Sequence, residues 1–427
     1  MVSLSKALGL KWEGHSPESK FVYLKLVHQH LSIGKIVAGL VELAKSINVN
    51  KKTLSKAIID LKNRKLISTK KVNGKGIHAG RKKVKIDLLA LETDTIFTEE
   101  SLIVKLIEST SMVTSVKQRK TNSSLLLLII IIASKANEFG VVTNLPKSKL
   151  KQLTGFTESR LKSQLSKLAD IGIIQEIVSG LSGKYAFGKV NSYYFIDLNH
   201  DLISMNNEYL IIEYNVICYT NNLGAKLYLD CHGESKREQS RRNIRNKRDL
   251  SIPKVPIDTI QIHIDSISIE SIKFDLNRNL FEFFKDRNAM IFARYFQTVI
   301  EQITSTTIND KSIEDYSKWS IAEERIEQLF LPKHMQIKHS MVKNDLENFK
   351  SLIQQVVIEY SMYVSNILNH VYGNFSNQMK HMIISRCPKS TGASTLKVIS
   401  LIENKDEIPT EIVESKHKKI DYFISPM

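Results

Sequence analysis

One segment of this chain occurs twice, and the repeat limits the possible folds more than any other feature. Residues 43–67 return 107 positions later as residues 150–174. Identity between the two copies is low, but the apolar residues keep their spacing. The corresponding pairs are Leu43 and Leu150, Val49 and Phe156, Leu54 and Leu161, Ile58 and Leu165, Leu61 and Leu168, Leu66 and Ile173, and Ile67 and Ile174. The chain is therefore expected to contain one structural unit twice.

Each copy has the pattern of two helices joined by a tight turn. The second helix begins after Asn50 or Thr157, whose side chains can accept hydrogen bonds from its first N–H groups. Apolar residues at 54, 58 and 61, and at 161, 165 and 168, form one buried stripe. The opposite face carries Lys52, Ser55, Lys56, Lys62 and Asn63 in the first copy, and Ser159, Arg160, Ser163, Gln164 and Lys167 in the second. This helix-turn-helix pattern fits a DNA major groove.

A strand-like pair with a glycine-rich, basic tip follows each copy, at 67–88 and at 174–198. A further apolar helix precedes each copy, at 21–31 and at 125–136. The order of helix, helix, second polar-faced helix and two-stranded wing resembles the winged-helix family, in tandem across roughly residues 16–200. The resemblance implies that the second helix of each copy binds DNA.

The whole chain is predicted to be mainly α with small β wings: two tandem winged-helix domains followed by a C-terminal helical domain. Its 427 residues suggest two or three domains. The predicted parts are a first winged-helix domain at 1–90, a helical linker at 91–121, a second winged-helix domain at 122–200, a connector with a basic arm at 201–257, and a helical assembly domain at 258–427. The arm, residues 236–248, is either a solvated linker or a segment that follows phosphates.

Heptad spacing between residues 346 and 371 predicts the main helix of the C-terminal part. Its apolar stripe favours a bundle or a dimer interface. A homodimer is expected, because symmetric pairs suit repeated or palindromic DNA sites; burial within one subunit is the alternative. The predicted self-association residues are Leu346, Ile353, Val356, Tyr360 and Ile367.

Positive charge is concentrated at the N-terminal end of the chain. Residues 1–90 hold 19 Lys and Arg against 5 Asp and Glu, so they carry +14 of the net +17. Cations grouped on one module indicate a polyanionic partner. The alternative is a basic surface that serves only solubility. Such a surface would not leave the C-terminal half with equal numbers of positive and negative charges.

Catalytic, metal and membrane patterns are not found in the sequence. Three cysteines without CxxC spacing point to a reducing compartment and no zinc site. Gly74, Gly76 and Gly80 precede no GK[ST] motif and are interpreted as wing-turn glycines. The longest apolar run, 125–133, is about half of the ~20 residues that a bilayer requires. We therefore expect a cytoplasmic, nucleoid-associated protein that is not an enzyme, with no membrane partner and no small-molecule cofactor.

The expected DNA contacts lie on both polar-faced helices and both wings. The first copy should supply nonspecific affinity through phosphates, and the second should read bases. The predicted contact residues are Lys51, Lys52, Ser55, Lys56, Lys75, Arg81, Lys82, Lys83, Ser159, Arg160, Ser163, Gln164, Lys184 and Lys189.

These patterns favour a sequence-specific, non-enzymatic binder of double-stranded DNA. Tandem winged helices followed by an assembly domain look like replication initiators of plasmids or mobile elements. A transcriptional regulator with the same modules is the first alternative. A winged-helix interaction protein of a chromosome-organising complex is the second, and a nuclease or recombinase is least favoured.

Overall fold

The computed structural model describes most of the N-terminal half and parts of the C-terminal half. The described residues are 3–73, 82–89, 103, 104, 106–108, 122–182, 189–197, 200, 203, 210–218, 224, 225, 227–229, 231–233, 236, 237, 240, 259–264, 272–277, 288–309, 351, 353, 354, 356–358, 360–362, 364, 365, 368, 369, 379–386, 394–402 and 421–423. They group into two compact units: residues 1–177 with 191–206, and residues 178–190 with 207–427.

The first copy of the repeat combines three helices with a small antiparallel sheet. A short helix α1 (Leu4–Gly9) precedes it. The copy consists of α2 (Pro17–Ile33), β1 (Ile36–Ala38), α3 (Leu40–Ser46), α4 (Lys51–Asn63), β2 (Ile67–Asn73) and β3 (Lys82–Leu88). β3 lies between β1 and β2 and pairs antiparallel with both.

The second copy repeats this order of elements. It consists of α5 (Ser123–Ala133), β4 (Val141–Val142), α6 (Lys147–Thr154), α7 (Glu158–Asp170), β5 (Ile174–Val178) and β6 (Tyr193–Ile196). β6 is the central strand of the sheet. The bounds of α4 and α7 differ by the same 107 positions as the sequence repeat, so the predicted repeat of helical elements is confirmed. The apolar run at 125–133 forms a buried first helix, as predicted.

The turns of the two copies match residue by residue. Asn50 and Thr157 accept hydrogen bonds from Thr53 N and Arg160 N and so begin α4 and α7, as predicted. The turn before each helix has a residue with positive φ, Asn48 (56°) in one copy and Gly155 (75°) in the other. The helix ends match too, because Lys65 (φ 56°) corresponds to Gly172 (φ 84°). The same local chain path is therefore built twice.

Both copies share one hydrophobic core. A continuous cluster of buried residues runs from Leu4 through α2, α4, α5 and α7 to Ile203. α2 packs against α4 of its own copy and against α5 of the other. The predicted domains 1–90 and 122–200, apart from residues 178–190 of the second, thus lie in one compact unit rather than in two separate ones.

A buried lysine joins the first copy to the second. Lys20, on α2, is fully buried and its Nζ donates to the backbone carbonyls of Leu8, Leu10 and Leu153 at 2.7, 2.7 and 2.8 Å. The first two carbonyls lie in or beside α1, and the third lies in α6. Because a buried carbonyl without a donor is costly, these bonds hold α1, α2 and α6 in fixed relative positions.

The second unit contains more strand than the sequence predicted. Its described elements are β7 (Leu210–Cys218), β8 (Thr259–Ile264), β9 (Ile272–Asn277), α8 (Ala289–Asn309), β10 (Met379–Arg386), β11 (Ser394–Ile402) and β12 (Asp421–Phe423). One sheet has the order β10-β11-β7-β12, with β12 parallel to β7 and the other neighbours antiparallel. The predicted C-terminal helical domain at 258–427 is therefore wrong in this part. β7 also pairs with β11 across the predicted boundary at 257.

The heptad segment is helical where it is described, at positions between 351 and 369. Ile353, Val356 and Tyr360 are only 1%, 0% and 3% exposed within a single chain. Leu346 and Ile367 lie outside the described residues. The chain itself thus covers the three described side chains, which favours the alternative of burial within one subunit. The homodimer stays a prediction.

In the described parts of both units, no helix combines the length and the apolar character needed to cross a membrane. The coarse prediction of a mainly α chain with small antiparallel sheets is confirmed.

Candidate nucleic-acid interface

The solvent-facing side of α4 is polar and basic. Leu54, Ala57, Ile58 and Leu61 are buried and fix the orientation of the helix. The side opposite to them is exposed, apart from the half-buried Ser55. We call it the outer face of α4; its residues are Lys52, Ser55, Lys56, Ile59, Lys62 and Asn63. Their spacing of three and four residues forms one stripe along the helix.

Three predicted contact residues place positive charge on and beside the N-terminal half of the outer face of α4. Lys51, Lys52 and Lys56 are exposed, and none forms an ion pair with another described residue. The only acid on α4, Asp60, bonds His15 Nδ1 at 3.1 Å on the flank of the helix. The lysines are therefore free to neutralise phosphates.

The outer face of α7 has hydroxyl groups at two positions where α4 has lysines: Ser159 matches Lys52, and Ser163 matches Lys56. It consists of Ser159, Lys162, Ser163, Ser166, Lys167 and Asp170, all exposed. Ser159 and Ser163 are in place as predicted contact residues. Lys162 and Ser166 were not among the predicted contacts. Helical spacing could have identified them, because they lie three residues after Ser159 and Ser163.

Arg160 bonds another helix rather than lying open to a ligand. Its guanidinium forms an ion pair with Glu18 of α2 and lies 5.2 Å from the centre of the Phe156 ring. Burial alone would raise the pKa of Glu18, but hydrogen bonds from Ser16, from its own backbone N–H and from Arg160 hold it below its ordinary value. The prediction that Arg160 contacts DNA bases is corrected, because its guanidinium forms a bond between the two copies. Glu18 is 142 positions away, so local sequence did not reveal the pair.

Gln164 belongs to the buried side of α7. It is 5% exposed, and its Oε1 has no hydrogen-bond partner in the described structure. The prediction that Gln164 contacts DNA bases is therefore wrong. The physical reason was visible in the sequence, because positions 161, 164, 165 and 168 follow the spacing of a single buried stripe.

The first hairpin also carries lysines. Lys83 is half-buried on β3 opposite Val72, and Lys82 is paired with Asn73 by its backbone. Lys70 and Lys71 on β2 are exposed and were not predicted as contacts. The predicted wing contacts Lys75 and Arg81 lie outside the described residues.

The second wing is described only at its base. Lys189 is exposed and forms a bridge with Ser182. Both residues group with the second unit. The predicted contact Lys184 lies outside the described residues.

A short N-terminal segment, residues 10–16, contacts both the C-terminal end of α4 and the elements just before α7. The fully buried Trp12 donates its backbone N–H to Gln152 O of α6 at 2.6 Å. The guanidinium of Arg64, at the end of α4, stacks 3.8 Å from the Trp12 ring and donates to Lys11 O at 3.0 Å. This segment thus ties α4 of the first copy to the turn before α7.

The beginning of α2 lies beside α4 and is bonded to α7. A groove of about 510 Å³ is bordered by Ser16 and Glu18 of α2 and by Thr53, Lys56 and Asp60 of α4. Glu18 also binds Arg160 of α7. Glu18 of α2 therefore lies beside α4 and binds α7.

Metal chemistry receives no support from the described part of the chain, which holds no group of three or more His, Cys, Asp or Glu side chains suited to an ion. No protein-family model and no curated protein matches this sequence. The candidate site consequently rests on the geometry of the two outer faces.

Proposed function

We propose that this chain is a sequence-specific binder of double-stranded DNA. The observation that carries the proposal is the repeated unit: two helices of equal length, in matching positions, each present a polar outer face beside a three-stranded sheet. This order of elements resembles that of the winged-helix family, which supports the proposal. A major groove admits one α-helix, so two such helices suit two groove segments.

The outer faces of α4 and α7 suit different parts of DNA binding. The outer face of α4, with Lys51 beside it, and Lys70 and Lys71 on the hairpin carry positive charge that no described acidic residue pairs with. Cations of this kind release counterions from phosphates and supply affinity without sequence preference. The outer face of α7 offers the hydroxyls of Ser159, Ser163 and Ser166, which can donate to or accept from base edges.

The proposed biological role is initiation of replication of a plasmid or mobile element at repeated origin sites, by a cytoplasmic, nucleoid-associated protein. It rests on the resemblance in domain order, and transcriptional regulation is the alternative. Enrichment of fragmented genomic DNA by the full-length chain distinguishes them. Recovery of an array of repeats, with loss of replication on deletion of the gene, supports initiation; recovery of promoters supports regulation instead.

DNA binding itself is tested by the affinity of the full-length chain for duplex DNA at several salt concentrations. We expect log K to fall linearly with log salt concentration. Lys56→Ala should reduce this slope by about one unit on any sequence, because one phosphate contact is lost.

Lys35→Ala is the matched control, since Lys35 is also exposed but lies in the turn between α2 and β1. It should leave the slope unchanged. Equal slopes for Lys56→Ala, Lys35→Ala and the unmodified chain would refute the assignment of α4. Absence of any salt-dependent binding would instead favour a protein-interaction role for the repeat.

A further inference from the structure

One large apolar side chain lies in the middle of the otherwise polar outer face of α4. Ile59 is 61% exposed. Lys52, Ser55 and Lys56 precede it by seven, four and three residues, and Lys62 and Asn63 follow it by three and four. Ile59 therefore points in the same direction as the residues proposed to enter the groove. An isoleucine left in water gives up the stabilisation that its burial would supply.

We propose that Ile59 recognises the C5-methyl group of thymine in the major groove. The inference rests on the proposed DNA-binding function and adds a specificity-determining residue to it. The thymine methyl is the apolar group that base pairs present in the major groove, and apolar side chains read it by contact. The neighbouring lysines bind phosphates or acceptor edges, so Ile59 supplies the apolar contact of this face.

The second copy does not repeat this chemistry. The position that corresponds to Ile59 is Ser166, also exposed, on α7. Lys56 likewise corresponds to Ser163, and Ser55 to Lys162. The two helices thus present different groups at equivalent positions. α4 therefore reads a thymine methyl in the part of the DNA site that it binds. The part bound by α7 has a different sequence.

The test begins with duplexes that the unmodified full-length chain selects from a random library. The selected duplex is then remade with deoxyuridine in place of each thymine in turn. Deoxyuridine keeps the pairing with adenine and lacks only the methyl group. At one or two positions, binding should weaken about fourfold, the effect of losing one buried methyl.

Ile59→Ala should bind the thymine and uracil forms equally well at those positions. Ile33→Ala is the control, because Ile33 is also exposed, at 67%, but ends α2 rather than lying on α4; it should keep the full thymine preference. Both side chains are exposed, so neither substitution removes core packing.

The outcomes separate this inference from the proposed function. Selected duplexes without thymine, or with no position sensitive to uracil, would overturn the role of Ile59 while leaving sequence-specific binding intact. An unchanged uracil effect in Ile59→Ala would assign the methyl contact to another residue. If no duplex is enriched at all, the proposed function fails together with the inference.

Discussion

Gly155 lies in the turn before α7 and carries two separate constraints. Its φ of 75° lies in the left-handed region, which disfavours side chains. A Cβ added there would also lie 2.4 Å from His15 O and 2.6 Å from Trp12 O. Asn48 holds the matching position of the first copy with φ 56°, so the conformation alone does not require glycine. The close approach of the 10–16 segment does.

We expect Gly155→Ala to destabilise the chain by about 3 kcal/mol or more. The left-handed conformation accounts for about 1 kcal/mol of this, and the displaced carbonyls account for the rest. Thermal denaturation provides the measurement. Gly172→Ala is the control, because Gly172 has φ 84° but no atom within 4 Å of an added Cβ; it should cost only about 1 kcal/mol. Equal losses would contradict the contact between residues 10–16 and this turn.

Lys25 provides a pH-dependent test of the packing inside the first unit. Its Nζ donates to Ile107 O at 2.6 Å, and burial lowers its pKa to about 8. The unfolded chain, with an ordinary lysine pKa of 10.5, binds more protons between these two values. The free energy of unfolding should therefore rise with pH from about 8 to about 10.5, by up to about 1.4 kcal/mol for each unit of pKa difference.

The Lys25→Met variant isolates this contribution from other groups that titrate at alkaline pH. The difference in the free energy of unfolding between the unmodified chain and the variant should change across the window, in favour of the unmodified chain as pH rises. A difference that is constant with pH would show that Lys25 keeps an ordinary pKa in the folded state.

At the scale of elements, α7 provides a contrast between an exposed and a buried polar residue. Ser163→Ala should weaken binding to the selected DNA by about 1 kcal/mol and leave binding to random DNA unchanged, since it removes a hydrogen bond to a base. Gln164→Leu should leave both affinities unchanged. It should also raise the melting temperature, because a buried oxygen without a partner is replaced by an apolar group. Loss of DNA affinity in Gln164→Leu would restore the original prediction for this residue.

The sequence predicted the elements of the repeat because their determinants are local. The spacing of Leu54, Ile58 and Leu61 and the cap at Asn50 lie within one helix, and the structure contains that helix at those positions. The strands of the second unit depend on partners far away: Ser394 pairs with Cys218 and Ile402 with Leu210. A single sequence does not identify such pairs, and the heptad spacing nearby favoured helix throughout.

The candidate site was predictable to the same extent. Outer faces follow from helical spacing, which placed Lys52, Lys56, Ser159 and Ser163 correctly on the exposed sides of their helices. The bond between Arg160 and Glu18 depends on the packing of one copy against the other. That packing has no signal within either copy.

At the scale of the whole first unit, the two copies form one body instead of two modules on a linker. Lys20 binds carbonyls of α1 and α6, Trp12 binds Gln152, and Arg160 binds Glu18. α4 and α7 therefore keep a constant separation and angle. Each added base pair moves and rotates one half of a DNA site relative to the other, so a rigid pair of helices accepts a single spacing.

Selection of duplexes from a random library by the full-length chain tests this account most directly. The selected sequences should contain two unlike halves at one separation and one orientation, and insertion of a single base pair between them should reduce affinity to that of one half alone. Halves that are enriched at variable separations would contradict the rigid arrangement of α4 and α7. A selected pool with no sequence in common would contradict sequence-specific DNA binding itself.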